Sequence, residues 1–209
     1  MNTPNLLDLR PCQFVLGMKE VENKIAIIKQ LKNRELRSYL DDHVIPLVIG
    51  PKHDMFIIDH HHFARACWEL GINGYSVRVM EDLSDLDVSA FWNKMVKRGW
   101  TYLHDQFGLG PHDPSSLPAD IRCLADDPYR SLAWEMIDRG TILKHKLPFF
   151  EFQWAAYLRL NLPLRLHSKS DFRKAIGLAT TLSTSKSADH LPGFVGNKKV
   201  RSTRKKNLK

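Results

Sequence analysis

Disulfide scaffolds, membrane spans and secreted proteins each leave marks that this sequence lacks. Its cysteines, Cys12, Cys67 and Cys123, are odd in number and widely scattered, which argues against a disulfide framework and fits a reducing cytosol. No apolar run approaches the roughly 18 residues that a membrane helix requires, so no membrane partner is expected. The opening Met1-Asn2-Thr3-Pro4-Asn5 does not have the basic-then-apolar layout of a secretion signal; the expected location is cytoplasmic. Neither Cys-x-x-Cys nor His-Glu-x-x-His occurs, and with them go the spacings that complete a tetrahedral zinc site. No internal repeat is visible.

The chain is otherwise ordinary in bulk: 43% hydrophobic and 26% charged over 209 residues, the profile of a globular protein. Its net charge of +8 invites a nucleic-acid reading, but the charge is localised. Residues 193–209 carry Lys198, Lys199, Arg201, Arg204, Lys205, Lys206 and Lys209 and no acid. The body before them is nearly neutral, so nucleic-acid contact is expected only as a weak interaction of a basic tail. From residue 183 onward the composition is rich in Ser, Thr and Lys and predicts disorder.

Periodicity divides the rest. Val21, Ile25, Ile28, Leu31 and Leu36 predict one long amphipathic helix over about 19–40. Lys19, Glu20, Glu22, Lys24, Lys29 and Lys32 form its solvated face, with Lys19 and Glu20 set apart by their place at its start. Val44 to Ile49 reads as a strand that Pro46 limits to an edge or an interrupted ladder, and Met55 to Ile58 as its buried partner. Tyr75, Val77 and Val79 alternate as a half-buried strand. Asp87 caps a helix closed by Gly99. Trp100 to Ser116 is too long for an idle connector and reads equally as a lid or a surface loop. Pro118 suits the first turn of a short helix, and Asp127-Pro128 starts another that Gly140 stops. Phe150, Trp154, Tyr157 and Leu158 mark a further helix, residues 170–182 a last one.

The chemistry concentrates at Asp59-His60-His61-His62, where an apolar strand ends and a helical stripe of Phe63, Ala66, Cys67 and Leu70 begins. Asp59 is placed as N-cap. A helical wheel puts His61 opposite the stripe, with His60 and His62 on its flanks. Imidazoles crowning free amides at the positive end of a helix predict an anion site, and phosphate is the anion expected. Three adjacent residues diverge by about 100° each on a helix, so they do not converge on one metal ion. The plainer reading is a solvated first turn with a capping aspartate.

That stretch, with the hairpin before it and the helix after, resembles the ParB/sulfiredoxin superfamily, whose members carry a pattern like Asp-Gly-His-His-Arg at this junction. By resemblance Asp59 matches the acid, His60 the glycine, His61 the first histidine (a catalytic cysteine in sulfiredoxins) and His62 the second. Phe63 stands where a phosphate-binding arginine would be, for which Arg65 or Arg130 are the candidate substitutes. Without a cysteine at 61, sulfinic acid reduction is not expected. The closer resemblance is to the ParB-like nuclease group, over roughly residues 6–180. It rests on Leu9-Arg10-Pro11-Cys12-Gln13, Gly17-Met18-Lys19-Glu20-Val21, Asp126-Asp127-Pro128-Tyr129-Arg130-Ser131-Leu132-Ala133-Trp134 and Pro148-Phe149-Phe150-Glu151-Phe152-Gln153-Trp154.

The resemblance implies an α/β fold, a small ParB/sulfiredoxin-like mixed sheet with helices followed by a mainly helical C-terminal half. The expected divisions are 1–83 for the α/β core, 84–182 for a helical extension packed on the core and 183–209 for a disordered basic tail. Two functions stay open. One is an enzyme on a phosphorylated small molecule or nucleic acid, a nuclease or a phosphotransferase that would use a nucleotide with Mg²⁺. In it Asp59, His61, His62 and Glu20 are catalytic, and His60, Lys19, Arg130 and Ser131 hold phosphate, with Lys144 as a further point charge. Asp59, Asp126, Asp127 and Glu151 are the oxygens a divalent ion would use in the nuclease version. The other is a non-catalytic nucleotide- or DNA-binding module.

Overall fold

Leu9–Pro11 (β1), Ile45–Ile49 (β3), Met55–Ile57 (β4) and Val77–Asp82 (β5) form a four-stranded mixed sheet in the order β1-β4-β3-β5. A short parallel pair joins Val15–Leu16 (β2) to Ala125–Asp126 (β6). The computed structural model describes residues 3–164 and 169–196, and the chain divides into two compact units, Met1–Asp127 and Pro128–Lys209.

In the first unit the alternation along β3 decides the layers. Ile45 and Leu47 face one side with Ile57. There they meet Val21 and Ile28 of Met18–Gln30 (α1), Leu40 of Asn33–Asp42 (α2), and Phe63, Ala66 and Cys67 of His61–Glu69 (α3). Val48 and Phe56 face the other side and meet Phe91 and Met95 of Val88–Lys97 (α4). Burial on both faces is why β3 and β4 are apolar at nearly every position. Asp87 caps α4 as expected, accepting the Ala90 N–H at 2.9 Å. The apolar face of α4 packs on the sheet, and the unit runs on to Asp127 instead of ending at residue 83.

Two expectations change and one open alternative resolves. The single helix over 19–40 is two helices, because Leu31 and Lys32 are extended. Glu35 restarts the helix by accepting the Lys32 N–H at 3.0 Å, a reach-back usually announced by Ser or Thr at the cap and here hidden behind a lysine. Of the two places open to Pro46, an edge or an interrupted ladder, the structure shows the second, in an inner strand. Antiparallel pairing with β4 begins only at Leu47↔Ile57, and the Pro46 carbonyl still accepts from Ile58 at 3.2 Å. The missing N–H therefore falls at the end of the ladder. Pro118 precedes its helical turn instead of starting it: the turn is Ile121–Cys123, capped by Asp120.

The loop after α4 is tied down. Tyr102 N–H and the Thr101 hydroxyl both donate to the Cys12 carbonyl. Asp105 accepts from the N–H groups of Phe107 and Leu109 and lies 3.1 Å from His112 Nε2.

The second unit is helical. Pro128–Asp138 (α5), Phe150–Asn161 (α6) and Lys169–Thr184 (α7) enclose Leu132, Met136, Trp154, Leu158 and Ala179. Residues 183–196, expected to belong to a disordered tail, are fastened to the helices. Ser183 and Ala188 are buried, and Trp154 Nε1 donates to the Pro192 carbonyl at 2.7 Å. The cluster of basic residues from Lys198 onward lies outside the described residues.

Candidate functional site

The turn into α3 depends on His60. Its backbone adopts φ 63°, ψ 24°, the left-handed region that costs a side-chain-bearing residue about 1–2 kcal/mol. This is the place where the resembling pattern has glycine. Asp59 does not cap α3. It is exposed, and its Oδ1 accepts the N–H of its neighbour His60 at 2.6 Å, holding the turn one residue earlier while His60 takes the N-cap position.

His61 is also not where a helical wheel places it. It is 3% exposed, because the chain from Cys12 to Gly17 runs over the start of α3 and covers the side away from the sheet. The ring is used as an acceptor, Cys12 N–H donating to its Nε2 at 3.3 Å. Burial pulls its pKa down to about 3, against the smaller opposing pull of Asp59. The imidazole is therefore neutral and brings no positive charge to an anion. Cys12 and Cys67 are both buried, and burial drives the Cys67 thiol up to about 12 and Cys12 further still. Both are inert as nucleophiles near neutral pH.

His62 joins the site to α1. Gly17 N–H donates to His62 Nε2 at 3.0 Å, and Glu20 Oε2 lies 3.6 Å from that same nitrogen. One nitrogen cannot serve both partners in the same state. Neutral His62 accepts from Gly17; protonated, it turns that nitrogen into a donor for Glu20. The other Glu20 oxygen is 3.7 Å from Lys24 Nζ. Lys24 in turn helps depress His43, whose pKa is lowered first by burial. His43 stacks on Tyr39 with ring centroids 4.0 Å apart, places Nδ1 2.7 Å from the Tyr39 carbonyl, and approaches His60 at 6.2 Å. His60, His62, Glu20, Lys24, Tyr39 and His43 thus form a continuous polar cluster in the first unit.

Other candidates go elsewhere. Lys19 pairs with Glu22 at 2.7 Å. Asp126 caps α1 from a distance, accepting the Met18 N–H at 3.0 Å. Arg65, one proposed substitute for the missing arginine, holds Glu69 and the Ile121 and Arg122 carbonyls. Arg130 and Ser131 are buried on α5 in the second unit, Arg130 lying 3.8 Å from Glu151 and over the Phe152 ring. Among the described residues no group of three or more His, Cys, Asp or Glu is placed to hold a metal ion. Of the oxygens read as a divalent-ion set, Asp59, Asp126 and Asp127 lie in the first unit, where they do not form such a group, and Glu151 in the second.

Residues 3–160 match the family described as Putative ParB-like nuclease. The chain belongs to that family. A solved structure titled "Crystal structure of protein Atu1540 from Agrobacterium tumefaciens" is similar over 93% of this chain and 97% of its own, with 34% identity and a TM-score of 0.83. No curated protein matches. The mixed sheet and the helical C-terminal half are therefore features of a ParB-like nuclease chain. Among its described residues no helix is long and apolar enough to cross a membrane.

Sequence reasoning missed Lys24, Tyr39 and His43. The i,i+4 step from Glu20 to Lys24 was visible, but Lys24 had been assigned to a solvated face. Tyr39 and His43 share the same i,i+4 spacing at the end of α2, a signal hidden while α1 and α2 read as one helix.

Proposed function

We propose that this ParB-like nuclease chain is an enzyme acting on a phosphorylated substrate, with Glu20 and His62 as its acid–base pair. The observation that carries the reading is the 3.6 Å approach of Glu20 Oε2 to a His62 nitrogen that already has a backbone donor, with Lys24 on the second Glu20 oxygen. A carboxylate and an imidazole that can exchange a proton at one atom are what displacement at phosphorus requires of side chains. In hydrolysis of a phosphodiester, the base takes a proton from water as its oxygen attacks phosphorus, and the acid returns a proton to the departing oxygen. In phosphotransfer a substrate hydroxyl replaces the water. Lys24 supplies positive charge, and His60, at the rim of the cluster, is the imidazole best placed to meet substrate. His61 acts as a positioning residue, holding the Cys12–Gly17 segment over the site.

The test is cleavage of single- and double-stranded DNA and RNA, together with turnover of nucleoside triphosphates, each with and without Mg²⁺ or Mn²⁺. Glu20→Gln and His62→Gln should each lower the rate by about 10²-fold or more with the melting temperature little changed. A wild-type protein inert on every substrate, or variants as active as wild type, sinks the reading. The other function, a non-catalytic DNA-binding module, is favoured only by the charge of the basic tail. Binding of that origin falls steeply with salt and disappears on truncation after Gly196.

A further inference from the structure

We propose that β5 is a dimerisation edge at which two copies of this chain pair antiparallel into one continuous sheet. β5 is last in the strand order, and its middle residues, Val79 and Met80, are each 52% exposed. Among the described residues no strand pairs with its outer edge, and an unpaired edge is a template for another strand. What identifies the occupant as a second copy is the way its side chains distribute along a two-fold axis.

In a regular strand, residues directly opposite one another share a face, so a two-fold axis must pass through a residue. β5 is not regular. Leu47 pairs with Val79 and Val48 with Glu81, leaving Met80 as an extra residue. The inserted residue shifts the alternation by one, so Val79 and Met80 come to the same side. An axis between them then sets Val79 opposite Met80, Arg78 opposite Glu81 and Val77 opposite Asp82 of the other copy. Every pair falls on a common face. Arg78 and Glu81 share the α4 side, where Glu81 already holds Lys94 and lies 3.4 Å from Arg98. The carboxylate has lone pairs left for a further cation.

Of the six pairs, the symmetric pairing matches two apolar contacts and two opposite-charge contacts, each favourable across strands; the two outermost, Val77 with Asp82, are unmatched, and no like charges are opposed. A six-residue edge falls short of the ~1,000 Å² that a stable interface clears, so the expected dimer is in reversible exchange at micromolar concentrations.

Sedimentation velocity on the full chain, from low to high micromolar, reads this directly. Wild type should shift from monomer to dimer across that range. Arg78→Glu opposes two carboxylates and Glu81→Arg two guanidiniums, so each alone should weaken association at least tenfold. An equimolar mixture restores both pairs and should recover the dimer. Met80→Lys, which leaves the ion pairs of Glu81 untouched, should dissociate it too. Circular dichroism melting checks that the variants fold. A wild type monomeric throughout overturns the proposal, as does a dimer indifferent to both Arg78→Glu and Met80→Lys, or folded single variants whose mixture stays monomeric.

Discussion

Replacing His61 with asparagine separates two roles that its ring plays at once. The ring accepts the N–H of fully buried Cys12, and it does so only while unprotonated. In an unfolded chain the same histidine titrates near 6.5; in the fold its pKa lies at about 3. Between those values the unfolded state binds a proton that the native state refuses, so stability is complete above about pH 6.5 and falls as pH drops toward 3. One proton contributes at most ~1.4 kcal/mol per pH unit, or roughly 2–3 kcal/mol over two units. The assay is urea unfolding at steps from pH 7.5 to 4.5. Asparagine offers an amide oxygen near the same position and does not titrate, so His61→Asn should be modestly less stable at neutral pH and lose about one proton's worth of slope below it. His61→Ala leaves the Cys12 N–H buried and unpaired, at a cost of about 1–3 kcal/mol at any pH, in addition to the cavity it opens. Equal slopes in wild type and His61→Asn would refute the assignment of a buried, neutral acceptor.

Three further outcomes test the surroundings. His60→Gly should raise the urea midpoint by the equivalent of about 1 kcal/mol, since glycine occupies φ 63° without strain, while any phosphorylated-ligand response that depends on the ring should disappear; a destabilised variant would show that the ring's packing outweighs the backbone cost. Asp126→Ala should lower the thermal midpoint by the loss of a helix cap worth about 1 kcal/mol, and Asp126→Asn by less, because it keeps an oxygen for the Met18 N–H. Truncation after Leu191 removes the acceptor of Trp154 Nε1 and should be less stable, by about 1–3 kcal/mol, than truncation after Gly196, which keeps it.

Much of the fold was legible because local signals and burial agree in it. The apolar runs of β3 and β4, the Asp87 cap, the helical stripes of α3 and α6 and the Asp127-Pro128 start of α5 are local signals, and the elements lie where those signals put them. The failures have a common cause in signals that only partner chain segments supply. The break at Leu31–Lys32 interrupts a pattern whose apolar periodicity continues across it. Pro46 is tolerated in an inner strand because of where β4 begins to pair, which the sequence of β3 does not contain. Ser183 to Gly196 looks too polar to fold by itself, yet it is fastened at Pro192 by a tryptophan 38 residues upstream.

The candidate site shows the same division more sharply. The Asp-His-His-His run was found at once, since four chemically active side chains at a strand–helix junction are conspicuous. Their roles were not, because a helical wheel describes a helix meeting one surface, and α3 meets two. With Cys12 and Gly17 lying over its first turn, His61 and His62 become acceptors for backbone amides instead of a solvent-facing crown. The residue that reads as the most ordinary of the run, His60 in the place of a glycine, is the one whose ring stays at the rim. The partner that gives His62 a chemical alternative, Glu20, sits 42 positions upstream on another helix. If catalysis depends on that alternative, activity follows the His62 proton rather than the charge of the run. Its pH profile should then lose one limb in His62→Gln and keep both in His61→Asn, a separation that an anion cradle of three equivalent imidazoles does not produce.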